Sequence, residues 1–331
     1  DDVEYVINAT DNDREGELIA FLIFLLAKNK KPVKRILVNE WTPQDITRGL
    51  ENLKGEEDMR NLQAAGYTRL ITDWLIGINF TSVATLKYGN GKLLNIGRVI
   101  LPTVKLVYDR DMEIKNFIPK TYFEIEGSFK CKNGKYKGKL IKNKNSKFDT
   151  EEEAMAVIDS ITSKNGVISS KKVTKSKEYA PKLFSLTSLQ GYITSKYSHF
   201  TSDKVLNVCQ SLYEGKGNGG YITYPRTDSV YLEESLTDKA SQTLNRLKHG
   251  LPYEDKIKFA KTKRVFDSSK VDSHSAIIPT YIVPNSLTPD EQIVYQAIKD
   301  RFIANFMPPA EYENTEIKTD VDDSVFLTKG K

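Results

Sequence analysis

Residues 3–17 read Val-Glu-Tyr-Val-Ile-Asn-Ala-Thr-Asp-Asn-Asp-Arg-Glu-Gly-Glu, and they begin the part of the chain that is most informative about its architecture. Val3 to Ala9 predict a short buried strand, and the apolar run from Leu18 to Ala27 predicts a fully buried helix. Lys28 to Pro32 end that helix, and Val33 to Asn39 predict a second strand. A strand, a helix and a strand joined by loops this short are typical of a βαβ unit in a parallel sheet.

Three carboxylates, Asp11, Asp13 and Glu15, lie in the loop between the first strand and the helix. Open α/β sheets bind ligands at the carboxyl ends of their strands, and carboxylate oxygens suit Mg²⁺. An EF-hand is excluded because its twelfth position would be Leu22, where a bidentate glutamate is needed. The alternative is that these acids cap the helix, and the spacing alone does not choose between the two.

A second candidate site lies in Gly220 to Ser229, where a predicted strand delivers Tyr224 to a loop that also carries Arg226. A phenol is a poor nucleophile at neutral pH unless a cation lowers its pKa or a base takes its proton. A guanidinium can do the former and can also bind a phosphate. A buried tyrosine with a stacked arginine is the structural alternative. His274 is the third candidate; a lone histidine is usually structural, and nothing in its local sequence overturns that interpretation.

The rest of the chain alternates helical and strand-like regions. Signals from Thr42 to Ile114 are helical, with Pro102 in the first turn of one helix. Further helices are predicted at Thr187 to Tyr197 and Ser202 to Glu214, and strands at Tyr122 to Phe129 and Tyr312 to Leu327.

Composition excludes several classes of protein. The 331 residues carry 49 Lys and Arg against 44 Asp and Glu, a net charge of +5 that does not by itself identify a nucleic-acid partner. Cys131 and Cys209 are too few for a disulfide scaffold or a cysteine zinc site, and no apolar run is long enough for a bilayer. Lysines cluster twice, and the clusters fit either a phosphate backbone or the solvated edges of strands: 132, 135, 137, 139, 142, 144 and 147, then 171, 172, 175, 177 and 182.

The two candidate sites resemble motifs of one family. Ala9 to Glu17 resemble the acidic motif of the topoisomerase–primase (Toprim) fold, and Ile222 to Ser229 resemble the active-site signature of the type IA DNA topoisomerases. Further matches in family order are Asn95 to Val99 with Pro102-Thr103, Leu183 to Gln190 with Gln210 to Glu214, and His274 to Thr280, the last closest to the bacterial topoisomerase III branch. The resemblance covers nearly the whole chain.

The resemblance implies a mechanism. Tyr224 attacks a phosphodiester of single-stranded DNA and keeps the 5′ phosphate covalently, while Arg226 steadies the phosphate charge and His274 supports the same region. A second strand passes through the gap before religation, which relaxes negative supercoils or decatenates DNA without ATP. Positioning and charge stabilisation carry most of such a phosphoryl transfer.

The same resemblance assigns the other site residues. It makes Asp11, Asp13 and Glu15 ligands of Mg²⁺, which is needed mainly for rejoining. Residues implied to contact DNA are Arg98, Gln210, Glu214, Thr223, Thr227 and Asp228. The implied partners are single-stranded DNA and a helicase or single-strand-binding protein, with no membrane, in the cytoplasm at the nucleoid.

We therefore expect a multidomain α/β plus α plus β chain, a fragment of the type IA topoisomerase toroid. The expected divisions are a partial Toprim domain at 1–48, a helical domain at 49–117, a β-rich arch domain at 118–183 and 282–331, and a helical insert with the tyrosine at 184–281.

The sequence departs from the family pattern at several positions, and these departures limit the activity that we expect of this chain. Ile100 replaces a glutamine, Ser275 replaces a commoner His or Glu, and the family's upstream glutamate strand has no counterpart before Asp1. We expect the interior of a larger topoisomerase that does not complete a relaxation cycle alone. A Toprim-type magnesium nuclease or primase and a catalytically incomplete single-stranded-DNA-binding fragment are the alternatives. A nuclease or primase would have no use for Tyr224.

Overall fold

The computed structural model describes residues 3–38, 40–141, 146–215, 217 and 219–331. The chain forms two compact units, each made of two separate segments. Unit 1 comprises residues 1–103 and 180–308, and unit 2 comprises residues 104–179 and 309–331. The four-domain division expected from the sequence stays a prediction.

Unit 1 begins with the expected βαβ unit. Strands β1 (Val6–Asn8) and β2 (Val33–Arg35) pair in parallel, with Val6 opposite Val33, and helix α1 (Arg14–Leu26) connects them. Both strands are shorter than predicted, and Asn39 lies outside the described residues. Helices α2 (Pro43–Glu51) and α3 (Glu56–Tyr88) follow, which confirms the helical signals after Thr42.

The prediction that the first helix is fully buried is wrong. Leu18 and Ala20 of α1 are buried, whereas Ile19, Ile23 and Leu26 are 53%, 55% and 82% exposed. The reason is that α1 packs on α3 through one face, and its apolar run continues around the other face. Apolar content alone does not say how many sides of a helix are covered.

Helix α1 approaches α3 closely because Gly66 lies at their contact. A Cβ at Gly66 would stand 2.6 Å from the Arg14 carbonyl oxygen and 3.2 Å from Leu18 Cβ. This close packing holds the amino-terminal end of α1, and the acidic loop before it, against α3.

The second segment of unit 1 is helical. It contains α6 (Leu186–Lys196), α7 (Ser202–Glu214), α8 (Thr237–Lys248) and α9 (Pro289–Ala304), preceded in the chain by α4 (Ile100–Lys115) and α5 (Glu151–Ile161). The predicted helices at 187–197 and 202–214 are confirmed, as is Pro102 in the first turn of α4. One buried cluster packs α6, α7 and α9 around the tyrosine loop: Leu189, Ile193, Val205, Cys209, Leu212, Ile222, Tyr224 and Val294.

Unit 2 is built on one antiparallel sheet. Its strands are β3 (Glu126–Cys131), β4 (Gly134–Ile141), β5 (Val167–Glu178), β6 (Ala310–Val321) and β7 (Ser324–Gly330), in the order β3-β4-β7-β6-β5. The strand predicted at Tyr122 to Phe129 begins later than expected, at Glu126 of β3, because Phe123 makes only an isolated bridge to Phe148. Strands from both segments of unit 2 thus form a single sheet.

The lysine clusters lie largely on these strands. Lys137 and Lys139 pair with Glu126 and Glu124 at 2.6 and 2.8 Å, and Lys177 of β5 lies 3.3 Å from Glu311 of β6. Lysines 142 and 144 lie outside the described residues. For the lysines on the strands, these contacts favour the strand-edge interpretation over a dedicated phosphate-binding surface; Lys182 lies beyond the end of β5. Within the described residues, no helix combines the length and apolar content that crossing a bilayer requires.

Candidate active site

The two sequence motifs meet in unit 1. The Tyr224 hydroxyl donates a hydrogen bond of 3.0 Å to Asp11 Oδ2, across 213 positions of sequence. His274 Nε2 lies 3.5 Å from Asp13 Oδ2, and the His274 ring lies 4.3 Å from the Tyr224 ring, centroid to centroid. Tyrosine, histidine and two carboxylates therefore form one cluster.

Asp13 both caps α1 and faces the site. Its Oδ1 accepts hydrogen bonds from the backbone N–H groups of Glu15 and Gly16, at 3.0 and 2.8 Å. Its other oxygen faces His274, and the His274 ring together with the two amides holds the pKa of Asp13 below its ordinary value. The two interpretations of the acidic motif are thus compatible, because each oxygen of one carboxylate has a different neighbour.

Gly16 allows the acidic loop to fold back on the helix. A Cβ at this position would lie 2.2 Å from the Asp11 carbonyl oxygen and 2.8 Å from the Asp11 nitrogen. Both of these neighbours are backbone atoms, so a side chain could be accommodated only by moving the loop. Gly16 therefore sets where Asp11 meets Tyr224.

We expect Gly16→Ala to lower the free energy of unfolding by about 1–3 kcal/mol, the usual cost of an overpacked site. Gly191→Ala is the matched control, because Gly191 lies within α6 and a Cβ there would meet no atom of the described residues within 4 Å beyond its own turn of helix. Alanine there should stabilise the helix by about 0.5–1 kcal/mol. Urea unfolding of both variants measures the difference, and equal effects at the two positions would contradict the role given to Gly16.

Arg35 positions the acidic loop and was missed by the sequence analysis. Its guanidinium is buried and donates to the carbonyl oxygens of Asn8, Thr10 and Asp11, the first two at 3.2 and 2.8 Å. Its Nε lies 3.1 Å from the Glu17 carboxylate. A charged residue inside the apolar Val33 to Asn39 stretch was the available signal, because an arginine in a buried strand needs partners.

Glu15 faces away from the other two acids. It pairs with Arg69 of α3, Arg69 lies 3.8 Å from Asp73, and Asp73 accepts from Arg98 Nε at 2.9 Å. A chain of alternating charges thus connects the acidic loop to Arg98. Across the described ranges of the chain, no three His, Cys, Asp or Glu side chains form a group able to hold a metal ion.

Tyr224 is buried, with 6% of its surface exposed. The ring of Tyr213 meets it edge-on at 5.4 Å. Burial and the nearby Asp11 carboxylate raise the pKa of Tyr224 to about 12, while the Arg226 guanidinium acts in the opposite direction. The phenol is therefore neutral at pH 7, and its proton is directed at a carboxylate.

The tyrosine loop is held by two threonines. The Thr223 hydroxyl donates to the Ala276 carbonyl at 3.2 Å and accepts from the Ile278 N–H at 3.0 Å. The Thr227 hydroxyl donates to the His274 carbonyl at 2.8 Å. Both threonines are buried, so they fix the loop against the His274 segment, and their hydroxyls already have protein partners.

The prediction of a strand before Tyr224 is wrong. Ile222 forms only an isolated antiparallel bridge to Pro279. The ladder does not extend because the N–H groups that would continue it bond elsewhere: the Tyr221 N–H donates to the Leu212 carbonyl and the Ile278 N–H donates to the Thr223 hydroxyl. The Thr223 hydroxyl bonds therefore supplement backbone pairing in placing the tyrosine.

The other predicted site residues lie around this cluster. On α7, Gln210 donates to Glu214 at 2.7 Å. Arg226 and Asp228 are exposed on the loop. Of the positions that depart from the family pattern, Ser275 accepts a hydrogen bond from the Glu233 N–H at 3.1 Å, and the Ile100 side chain is 51% exposed.

Comparison with known proteins identifies the class. The family model described as DNA topoisomerase matches residues 57–331, and the Toprim domain model matches residues 1–41. The chain belongs to the type IA DNA topoisomerase family, as the resemblance of its motifs predicted, and the expected mixed α/β architecture with a Toprim portion is confirmed.

Relatives point to one branch of this family. DNA topoisomerase 3 of Bacillus cereus is 34% identical over 100% of this chain and 45% of its own length, and DNA topoisomerase 3 of Staphylococcus aureus is 32% identical over 99% and 45%. Full-length topoisomerase I from Thermotoga maritima superposes with a TM-score of 0.72 at 26% identity, covering 96% of this chain and 52% of that one. The chain thus spans about half the length of these proteins.

Proposed function

We propose that this chain carries the cleavage site of a topoisomerase III-like enzyme that cuts and rejoins single-stranded DNA. The observation that carries the proposal is the 3.0 Å hydrogen bond from Tyr224 to Asp11, because it joins a nucleophile candidate to an acceptor for its proton. The family membership supports the same reaction class.

In the proposed cleavage step the Tyr224 oxygen attacks a DNA phosphorus. The new bond joins Tyr224 Oη to phosphorus, and the bond from phosphorus to the 3′ oxygen breaks. The leaving 3′ oxygen takes a proton from water, so one side of the cut carries a free 3′ hydroxyl and the other carries a 5′ phosphate joined to the tyrosine. Rejoining is the reverse, with the 3′ hydroxyl as nucleophile, so the phosphodiester energy is conserved and no ATP is needed.

The neighbours of Tyr224 have separate roles in proton transfer, in charge neutralisation and in positioning the ring. Asp11 Oδ2 is positioned to take the phenolic proton as the oxygen–phosphorus bond forms. Arg226, whose side chain is exposed on the same loop, would neutralise the phosphate, and it shifts the Tyr224 pKa in the direction that eases attack. His274 packs against the tyrosine ring and limits its orientation, which makes it a positioning residue for Tyr224 in this proposal.

The acidic loop fits Mg²⁺ through two residues. Asp11 and Asp13 supply carboxylate oxygens in one loop, and Mg²⁺ commonly takes one or two protein carboxylates and completes its shell with water and phosphate oxygens. Glu15 is paired with Arg69, so in this arrangement it contributes charge at a distance. When bound, Mg²⁺ would neutralise phosphate charge and orient the DNA ends for rejoining.

Replacing Asp11 and Asp13 together by Asn should raise the Mg²⁺ concentration needed for relaxation at least tenfold, because the site keeps its shape and loses its charge. Asp228→Asn, an exposed acid on the tyrosine loop, should shift the requirement less. A magnesium titration of plasmid relaxation measures this in a protein that carries these 331 residues within the full length of its relatives. The maximal rate should fall as well, because an amide at position 11 cannot take the Tyr224 proton; an unchanged magnesium midpoint at that lower rate would assign Asp11 and Asp13 to helix capping and proton transfer alone.

A labelled oligonucleotide separates the proposed function from its alternatives. A covalent protein–DNA adduct that survives denaturation supports the topoisomerase, free cut products indicate a nuclease, and retention without cutting indicates a binding module. We expect binding to a single strand to exceed binding to a blunt duplex of equal length and to weaken steeply with salt. A helicase or single-strand-binding partner and a location at the nucleoid would accompany this function.

A further inference from the structure

Three side chains outside the Tyr224 cluster converge on one point of unit 1. The Tyr231 hydroxyl accepts a hydrogen bond from Lys182 Nζ and lies 3.4 Å from Lys270 Nζ. Both ammonium groups also lie over the Tyr231 ring, at 3.7 and 4.9 Å from its centroid. We call Lys182, Tyr231 and Lys270 the Tyr231 cluster.

The backbone around this cluster is fixed. The Lys182 carbonyl accepts from Arg301 Nη1 at 2.9 Å, and the Tyr231 carbonyl accepts from the Ala276 N–H at 2.8 Å. The Tyr231 N–H donates to Ser229 Oγ at 3.1 Å. Tyr231 therefore belongs to the same held loop as Tyr224, and its neighbour Ala276 is two residues beyond His274.

The charges of the cluster are incompletely balanced. Two ammonium groups share one phenol oxygen, and the nearest carboxylate to Lys270 is Asp267, at 3.5 Å. Two like charges a few ångströms apart repel each other, and the two lysines lower the pKa of Tyr231. An anion bound between the ammonium groups would relieve this repulsion, and a phosphate with several acceptor oxygens can accept from both lysines and from the phenol.

We propose that the Tyr231 cluster binds one phosphodiester of the same DNA strand that Tyr224 attacks, within a few nucleotides of the cleaved bond. This inference rests on the proposed function for the identity of the strand. It adds a subsite that fixes the register of the DNA: the loop that carries the nucleophile also holds a second phosphate, so the position of the cut is set from two points.

The test is a scan of single-stranded oligonucleotides, each with one phosphate replaced by an uncharged methylphosphonate. We expect the unaltered chain to lose roughly tenfold in affinity at the phosphate that the cluster binds. The variant with Lys182→Gln and Lys270→Gln should show no loss at that position and unchanged losses elsewhere. It should also lower the slope of log affinity against log salt by about 0.7, the value for one phosphate of a single strand.

The matched control replaces Lys256 and Lys258, two exposed lysines of the same unit, by Gln. It should leave the position-specific loss intact. The proposal is overturned if both lysine pairs behave alike, or if the variant and the unaltered chain lose affinity equally at every phosphate. It is also overturned if added inorganic phosphate, as a competitor for the cluster, weakens binding by the same factor for every substituted oligonucleotide.

Failure of the proposed cleavage function would be seen in a different measurement from failure of the phosphate subsite. In the full-length context, absence of a covalent adduct from the unaltered protein would refute cleavage at Tyr224, while a cluster-dependent loss at one phosphate would still establish the subsite. Where adducts form, the mapped cut should lie a constant number of nucleotides from the phosphate that the cluster binds. Cuts scattered relative to that phosphate would overturn the role in register.

Discussion

Tyr224→Phe should abolish the covalent protein–DNA adduct, and with it relaxation, while single-strand affinity stays within about twofold. The substitution removes one oxygen, which is both the proposed nucleophile and the donor to Asp11. The ring contacts with Tyr213 and His274 do not depend on that oxygen, so the loop should keep its packing. The measurement is adduct capture under denaturing conditions in the full-length context, with filter binding of the same oligonucleotide.

Tyr295→Phe is the matched control for this experiment. Tyr295 is buried in the same apolar cluster, and within the described part of the chain its hydroxyl has no hydrogen-bond partner. Removing that hydroxyl should change neither adduct yield nor stability appreciably. An adduct that persists in Tyr224→Phe, or one that disappears equally in Tyr295→Phe, would remove Tyr224 from its proposed role.

Arg35→Met should lower the free energy of unfolding by about 3–5 kcal/mol, the usual result of removing one partner of a buried ion pair. Burial raises the pKa of Glu17 and lowers that of Arg35, so each charge depends on the other for solvation. Without the guanidinium, the carbonyls of the acidic loop also lose their donor. For a unit of this size, the melting temperature should fall by roughly 6–20 °C.

Two further variants separate charge burial from a general loss of packing. Adding Glu17→Gln to Arg35→Met should recover part of the lost stability, because it removes the unpaired carboxylate. Arg60→Met, at an exposed arginine of α3, should change the unfolding free energy by less than about 0.5 kcal/mol. A stability change in Arg35→Met as small as that in Arg60→Met would show that the acidic loop does not depend on Arg35.

The sequence predicted the elements whose cause is local. The βαβ order, the helices at 187–197 and 202–214 and the family motifs all follow from residues close together in the chain. It did not predict the pairing of Tyr224 with Asp11, because no local pattern relates residues that far apart. Nor could spacing show that Glu15 pairs with Arg69, since a long side chain in an exposed first turn takes whichever cation the fold brings near.

Motif membership also did not separate chemical from structural roles. Thr223 and Thr227 belong to the active-site signature together with Tyr224 and Arg226, yet their hydroxyls bond the backbone around His274. Burial distinguishes them, and burial depends on the whole of unit 1. The face of α1 that stays exposed was mispredicted for the same reason, because an apolar sequence does not specify which neighbours cover it.

The division of unit 1 into two separate stretches of chain has a consequence during synthesis. At roughly 5–20 residues per second, the ribosome needs about 10–40 s to extend the chain from Asp11 to Tyr224. Throughout that interval the acidic loop has neither the phenol nor the imidazole that completes the site. Bringing Asp11 and Tyr224 together is also slow, because the conformational entropy of the intervening chain is lost before their contact can stabilise the fold. Arg35 follows Asp11 by 24 residues, roughly 1–5 s of synthesis, so the nascent chain can set the shape of the carboxylate loop long before the nucleophile is made.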